Sequence, residues 1–217
     1  MVESKLHIEN PFGYSFGQDF IKEDLSELKT IKVFAKGESQ DESQFTREYP
    51  FNVLKDYPYS KKILTKYFHK FVKRFYERDI DFKITTSWAV KLRRGDAVHH
   101  HNHRNCLWSC VFYYGEYTPR SCPLRFQNPI GATIPVCIFD ESRRNPMMSD
   151  IAIAPQSNML LIFPSWIYHF SDPNMEETRY SLAFNFMPSG EIGGGDSTYH
   201  PRMMNDESSS KSPKGFG

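Results

Sequence analysis

Four of the five residues from His99 to His103, "HHHNH", are histidines. Neutral imidazole is the commonest protein ligand for iron, zinc and copper, so clustered histidines raise the question of a metal. In an extended segment, residues two apart point to the same side. His101 and His103 can therefore approach one ion together, as can His99 and His101, while His100 must point the other way. The cluster is internal and flanked by apolar runs, unlike a terminal purification tag. A third ligand must come from elsewhere, and His169 in "FPSWIYHF" (163–170) is the best candidate, following an apolar run and a proline. A second group with chemical potential lies ten positions further on. In "RYSLAFNF" (179–186), Arg179, Ser181, Ala183 and Asn185 are small or polar, whereas Tyr180, Leu182, Phe184 and Phe186 are large and apolar. One face packs in a core and the other lines something polar. A buried arginine needs an anionic partner. A bound carboxylate, gripped by the Arg179 guanidinium fork and the Ser181 hydroxyl, would supply one.

These residues need a scaffold. From Ser60, a plausible N-cap, Ile63, Leu64, Tyr67, Phe68, Phe71, Val72, Phe75 and Tyr76 recur at helical spacing, predicting a helix over 60–79. Lys62, Lys66, Lys70 and Lys73 line its other side as a solvated face. The period then becomes two. Phe82, Ile84, Thr86, Trp88, Val90 and Leu92 alternate with more polar residues, which predicts a strand with one buried face and Trp88 in the core. "RRGD" (93–96) is a turn signal. Further strand-like runs occupy 107–114, 122–126, 133–139, 151–154, 159–164 and 179–187. Many short strands point to a mainly β fold, a sandwich or barrel with a helix or two. Residues 36–44 read as an exposed loop, and the Gly- and Ser-rich stretch 189–217 as a flexible tail after a single domain of 1–188.

Composition narrows the function classes. The chain has 217 residues, enough to bury roughly 70% of its unfolded surface. A formal net charge of +1 gives no global electrostatic case for nucleic acid. Apolar runs such as "MLLIF" (159–163) are too short to span a bilayer, and "MVESKLHIEN" has no apolar signal region. Cys106, Cys110, Cys122 and Cys137 form no CxxC pair and read as reduced thiols, so the expected compartment is the cytoplasm.

The strings "HNHRNCLWSCVFYY", "LRFQNP", "LLIFPSWIYHF" and "RYSLAFNF" together resemble the 2-oxoglutarate- and iron(II)-dependent oxygenases common in bacteria and their phages. The resemblance covers about residues 80–188. It implies a double-stranded β-helix, a relative of the jelly roll. It also implies that His101, His103 and His169 hold Fe(II), and that Arg179 and Ser181 take the distal carboxylate of 2-oxoglutarate. O2 would be the second co-substrate, with release of succinate and carbon dioxide and hydroxylation of a prime substrate. Asn105 and Tyr113 are positioned to support the site by hydrogen bonding, although turn and core roles suit them equally. Most relatives in the wider superfamily use two histidines and one carboxylate. Here His103 stands in the carboxylate position, which disfavours halogenation, and Asp96 stays open as an alternative ligand. The prime substrate (amino acid, peptide or protein side chain, or metabolite) and the oligomeric state are not legible.

Two other readings compete. "GDAVHHHNH" fits Gly-x5-His-x-His of a three-histidine cupin dioxygenase needing no 2-oxo acid, but the expected glutamate is replaced by Leu107 and Trp108. A non-catalytic jelly-roll binding module is the other, and both leave the Arg179–Ser181 pair without a purpose.

Overall fold

A computed structural model describes residues 15–35, 44–45, 51–129, 150–190 and 192–199. The strand expected at 133–139, most of the expected loop at 36–44, Cys137 and the end of the tail lie outside the described residues. Ten strands are present among those described: β1 (Gly17–Phe20), β2 (Phe34–Ala35), β3 (Gln44–Phe45), β4 (Phe82–Arg93), β5 (Trp108–Phe112), β6 (Leu124–Gln127), β7 (Asp150–Ile153), β8 (Met159–Pro164), β9 (His169–Ser171) and β10 (Thr178–Pro188). One helix, α1 (Pro58–Tyr76), precedes β4. The strands form a seven-stranded sheet in the order β1-β8-β5-β10-β4-β3-β2 and a three-stranded sheet in the order β7-β6-β9. The strand pairs are antiparallel. This is the double-stranded β-helix, with α1 covering the outer face of the larger sheet.

The helix begins earlier than Ser60. Tyr57 is the N-cap and Pro58 opens the first turn, where its fixed φ and missing N–H cost nothing. Ser60 lies in the first turn, and the Glu27 carboxylate accepts its N–H at 2.9 Å and its O–H at 2.5 Å. A carboxylate from a distant segment thereby satisfies a first-turn donor and complements the positive helix end. The helix ends at Tyr76 because Glu77 adopts φ +56°. The predicted stripe faces the sheet, and Phe68 stacks on Phe186 of β10, rings 3.6 Å apart and 9° from parallel. Burial of one such ring stabilises the fold by about 1.5–3 kcal/mol.

The larger sheet is buried on both faces. Leu182, Phe184 and Phe186 of β10, with Phe112 of β5 and Leu160 and Ile162 of β8, join the core under α1. Leu161 and Phe163 face inward with Leu124, Phe126 and Ile167. Strand β4 departs from simple alternation. The β4–β10 register slips between Asn185 and Phe186, passing from Thr86 to Ile84, so Thr85 is the extra residue of a β-bulge. Phe82 and Ile84 pack towards α1, as does Ala89, whereas Trp88, Val90 and Leu92 face the interior between the sheets. The expectation of one buried face is thus corrected: the bulge exchanges the faces part-way along the strand. After β10 the chain does not go straight into a structureless tail. Ile192 and Tyr199 exchange backbone hydrogen bonds of 2.7 Å around a 3-10 turn at Gly195–Ser197.

Candidate active site

The segment from Val98 to His103 runs antiparallel to 165–171. His101 and His169 exchange backbone hydrogen bonds of 3.0 and 2.8 Å, and the His103 N–H reaches the Ser165 carbonyl at 2.9 Å. The extended geometry enforces the alternation. His99, His101 and His103 line the cavity between the sheets, while His100 stacks on Tyr168 with rings 4.7 Å apart and places Nε2 2.8 Å from Gln127 Oε1.

His101, His103 and His169 each bring one ring nitrogen into a group whose members all lie within 4.8 Å of one another. Their Nδ1 atoms are occupied. His101 Nδ1 lies 2.8 Å from the His99 carbonyl, and His169 Nδ1 lies 3.0 Å from the Ile167 carbonyl. Carbonyls only accept, so both rings carry the proton on Nδ1 and present a lone pair on Nε2. His103 Nδ1 lies 2.8 Å from Ser109 Oγ and 2.9 Å from Asn185 Oδ1. The Asn185 amide is oriented by its Nδ2, which donates to Thr86 Oγ1 at 3.0 Å. His101 Nε2 and His103 Nε2 are 3.2 Å apart, lone pair against lone pair, an arrangement that a shared cation relieves. The donor set fits a divalent metal: three neutral nitrogens, each ring locked from behind.

Burial sets the charge state. It pushes His169 down to about 3 and His103 down to about 4, and it lowers His101 as well; each ring's histidine neighbours add to the shift. Unfolded histidines take up protons near pH 6.5, so below that pH the unfolded chain binds more protons than the metal-free fold. Stability present above pH 6.5 is therefore lost as pH falls towards 4. Thermal melts of chelator-treated protein should show a falling Tm between pH 6.5 and 5, above the range where carboxylates titrate; a flat profile there would contradict this charge state.

Asn185 and Ser109 are site residues that the sequence did not single out as such, although Asn185 lay on the predicted polar face. Partners of metal-bound histidines typically contribute 10–100-fold to metal affinity. Asn185→Ala should weaken divalent-metal binding by about that factor, and Asn185→Asp, which keeps an acceptor, should restore most of it. Metal titration against a chelating dye reads both. Equal affinity of Asn185→Ala and wild type would remove Asn185 from this role.

Arg179 projects from β10 into the same cavity, 2% exposed. Its Nη2 donates to the Tyr113 hydroxyl at 3.2 Å, and its guanidinium carbon lies 5.1 Å from the Tyr113 ring centre. Its Nε is buried with no hydrogen-bond partner among the described residues. An orphaned donor on a buried cation is costly unless an anion completes it. Ser181, two residues on, lines the cavity beside it. Burial raises the Tyr113 phenol, which stays protonated. Tyr113 therefore holds the Arg179 side chain from behind.

Two candidates fall away. Asn105 is exposed at φ +60° and serves the turn before β5. Asp96 is buried, but its Oδ2 accepts from the Arg93 backbone N–H at 2.8 Å and from Arg93 Nε at 3.4 Å, closing its own turn rather than joining the histidines. Cys110 lies in the helix-side core and Cys106 is half-buried outside it, so the two thiols form no metal group among the described residues. Trp88, expected in the core, instead lines the cavity, its ring 5.3 Å from that of His103.

A double-stranded β-helix with three converging imidazoles and a buried, incompletely satisfied arginine defines a class: a protein built to hold a metal and an anion between its sheets. Residues 86–185, which contain all of these side chains, match the family model described as "Putative 2OG-Fe(II) oxygenase". This segment is similar to the 2OG-Fe(II) oxygenases, a family that depends on iron(II) and 2-oxoglutarate. No curated protein matches the chain significantly in sequence. Among solved structures, SnoN, the non-heme alpha-ketoglutarate-dependent epimerase of nogalamycin biosynthesis, aligns over 78% of this chain and 70% of its own at 7% identity, TM-score 0.54. A Pseudomonas putida prolyl-4-hydroxylase aligns over 82% and 94% at 15% identity, TM-score 0.49. An oxidoreductase of the 2OG-Fe(II) oxygenase family from Burkholderia pseudomallei aligns over 54% of this chain and half of its own length, at 11% identity and TM-score 0.41.

Proposed function

We propose that this protein is an iron(II)- and 2-oxoglutarate-dependent dioxygenase that hydroxylates a prime substrate. The observation that carries the reading is Arg179: a buried cation with an orphaned Nε, in the same cavity as three histidines whose Nε2 lone pairs converge. When bound, iron(II) supplies the redox chemistry, in which O2 and 2-oxoglutarate are consumed, succinate and carbon dioxide leave, and an oxygen atom reaches the substrate.

The chain's residues do the positioning. His101, His103 and His169 would hold the metal through Nε2, their rings fixed by the His99 carbonyl, the Asn185–Ser109 pair and the Ile167 carbonyl. Arg179 and Ser181 would orient the distal carboxylate, with Tyr113 keeping the guanidinium in place. Val111, Leu124 and Ala183 line the cavity and exclude water, which strengthens these charge interactions. We assign the catalytic unit to a single domain ending near Pro188. Among the described residues no helix is long and apolar enough to cross a membrane. Cys106, Cys110 and Cys122 are free thiols, in keeping with a reducing cytoplasm. A cupin-type dioxygenase or a binding module would leave the Arg179–Tyr113 arrangement without a purpose.

The test is turnover of the co-substrate. Protein supplied with iron(II), O2 and 2-oxoglutarate should release succinate slowly even without a prime substrate, in an oxygen-dependent manner. Stoichiometric iron binding with no consumption of 2-oxoglutarate would refute the proposal.

A further inference from the structure

The cavity of about 320 Å³ has two unlike halves. On the inner face of the larger sheet, Arg179 pairs with Leu92, Ser181 with Val90, Ala183 with Trp88 and Asn185 with Thr86. The path from the histidines to Arg179 runs over Ser181 on β10, towards Tyr113 just beyond β5. The β4 side is the other half, walled by Thr86, Trp88, Val90, Val98 and Phe51. Trp88 is only half-buried, although it faces the interior, and its ring stands against His103.

Phe51 occupies the edge of β4. Its carbonyl accepts the Ser87 N–H at 2.6 Å, and its ring meets that of Trp88 edge-on, 6.3 Å between centres. It is 45% exposed, and its backbone sits at φ +29°, in the left-handed region that strains a bulky side chain. Exposed apolar surface and backbone strain coincide at the edge of a cavity, which is where function retains both. Among the described lining residues the one permanent charge is Arg179, which the co-substrate engages. Binding in the β4 half then rests on apolar and aromatic contact, with His99 as a polar edge.

We propose that the prime substrate inserts an uncharged apolar group, aromatic or branched aliphatic, into a slot walled by Phe51 and Trp88. The inference rests on the 2-oxoglutarate reading for its choice of half-cavity. The chain has three tryptophans, so their indole N–H signals in ¹⁵N-labelled protein are individually readable. Zn(II) replaces iron to prevent turnover, and 2-oxoglutarate is present. The apolar probes are indole and N-acetyl-leucinamide; the charged probe is N-acetyl-lysinamide. Apolar probes should shift the Trp88 signal saturably and leave Trp108, hydrogen-bonded to Tyr76, and the outward Trp166 unmoved. Phe51→Ala should weaken probe binding about tenfold with Zn(II) affinity unchanged, and Phe51→Leu should fall between the two. Equal shifts by the charged probe, or probe affinity in both variants within twofold of wild type, would overturn the slot. A separate 2-oxoglutarate titration, together with the same probes on metal-free protein, separates the two failures. Trp88 shifts without 2-oxoglutarate uptake sink the co-substrate reading alone, and uptake without shifts sinks the slot alone.

Discussion

Arg179→Ala should lower the affinity of the metal-loaded protein for 2-oxoglutarate by about 100–1000-fold while leaving metal binding intact. The guanidinium is 2% exposed, donates once to Tyr113 and holds an orphaned Nε in the cavity. Hydrogen bonds to charged groups contribute about 1.5–3 kcal/mol each, and a two-pronged grip on a carboxylate sums towards about 3–4 kcal/mol. Arg179→Lys keeps the charge without the fork and should recover only part of the affinity. A second readout follows from burial. Without its anion, Arg179 is a poorly paired buried charge, so Arg179→Met should cost the metal-free fold little or even stabilise it. Added 2-oxoglutarate should raise the Tm of wild type and not that of Arg179→Met. Calorimetric titration and melting curves measure both. A loss of only a few fold would mean that the arginine does not receive the carboxylate.

His169→Ala should remove more than about 100-fold of divalent-metal affinity, exceeding the effect typical of residues behind a ligand. His169 is 4% exposed, and two backbone hydrogen bonds to His101 fix its place opposite the other ligands. His99 shares the cavity, but its carbonyl already positions His101. His100 faces away, stacked on Tyr168. Competition against a chelator of known affinity gives the number. A loss below about tenfold would show that His101 and His103 bind the metal without it.

Both predictions rest on residues legible in the sequence, and the reason is chemical contrast. Strand β10 is buried on both faces, but one face is polar, so Arg179, Ser181 and Asn185 stood apart from Leu182, Phe184 and Phe186. The histidine run likewise sorted itself by alternation, because the segment is extended against 165–171. What stayed hidden depends on single-residue irregularity or distant partners. The extra residue at Thr85 leaves no compositional mark, yet it carries Trp88 from the expected core into the cavity. Phe51 lies in a stretch without periodicity. The helix starts at Pro58 rather than Ser60 because Glu27, over thirty residues away in sequence, satisfies the first turn. Asn105 and Asp96 have polar side chains suited to a site, but turns claimed both. The link from Asn185 to His103 spans 82 positions and could be found only in three dimensions.

One cavity should hold a metal on three histidines and 2-oxoglutarate on Arg179. The most direct measurement is anaerobic titration of iron(II)-loaded protein with 2-oxoglutarate, following the metal-to-ligand charge-transfer absorption. Wild type should show a band that saturates at one equivalent and is weakened or lost in Arg179→Ala and His169→Ala. Tight stoichiometric iron binding with no band at any concentration of 2-oxoglutarate would contradict it.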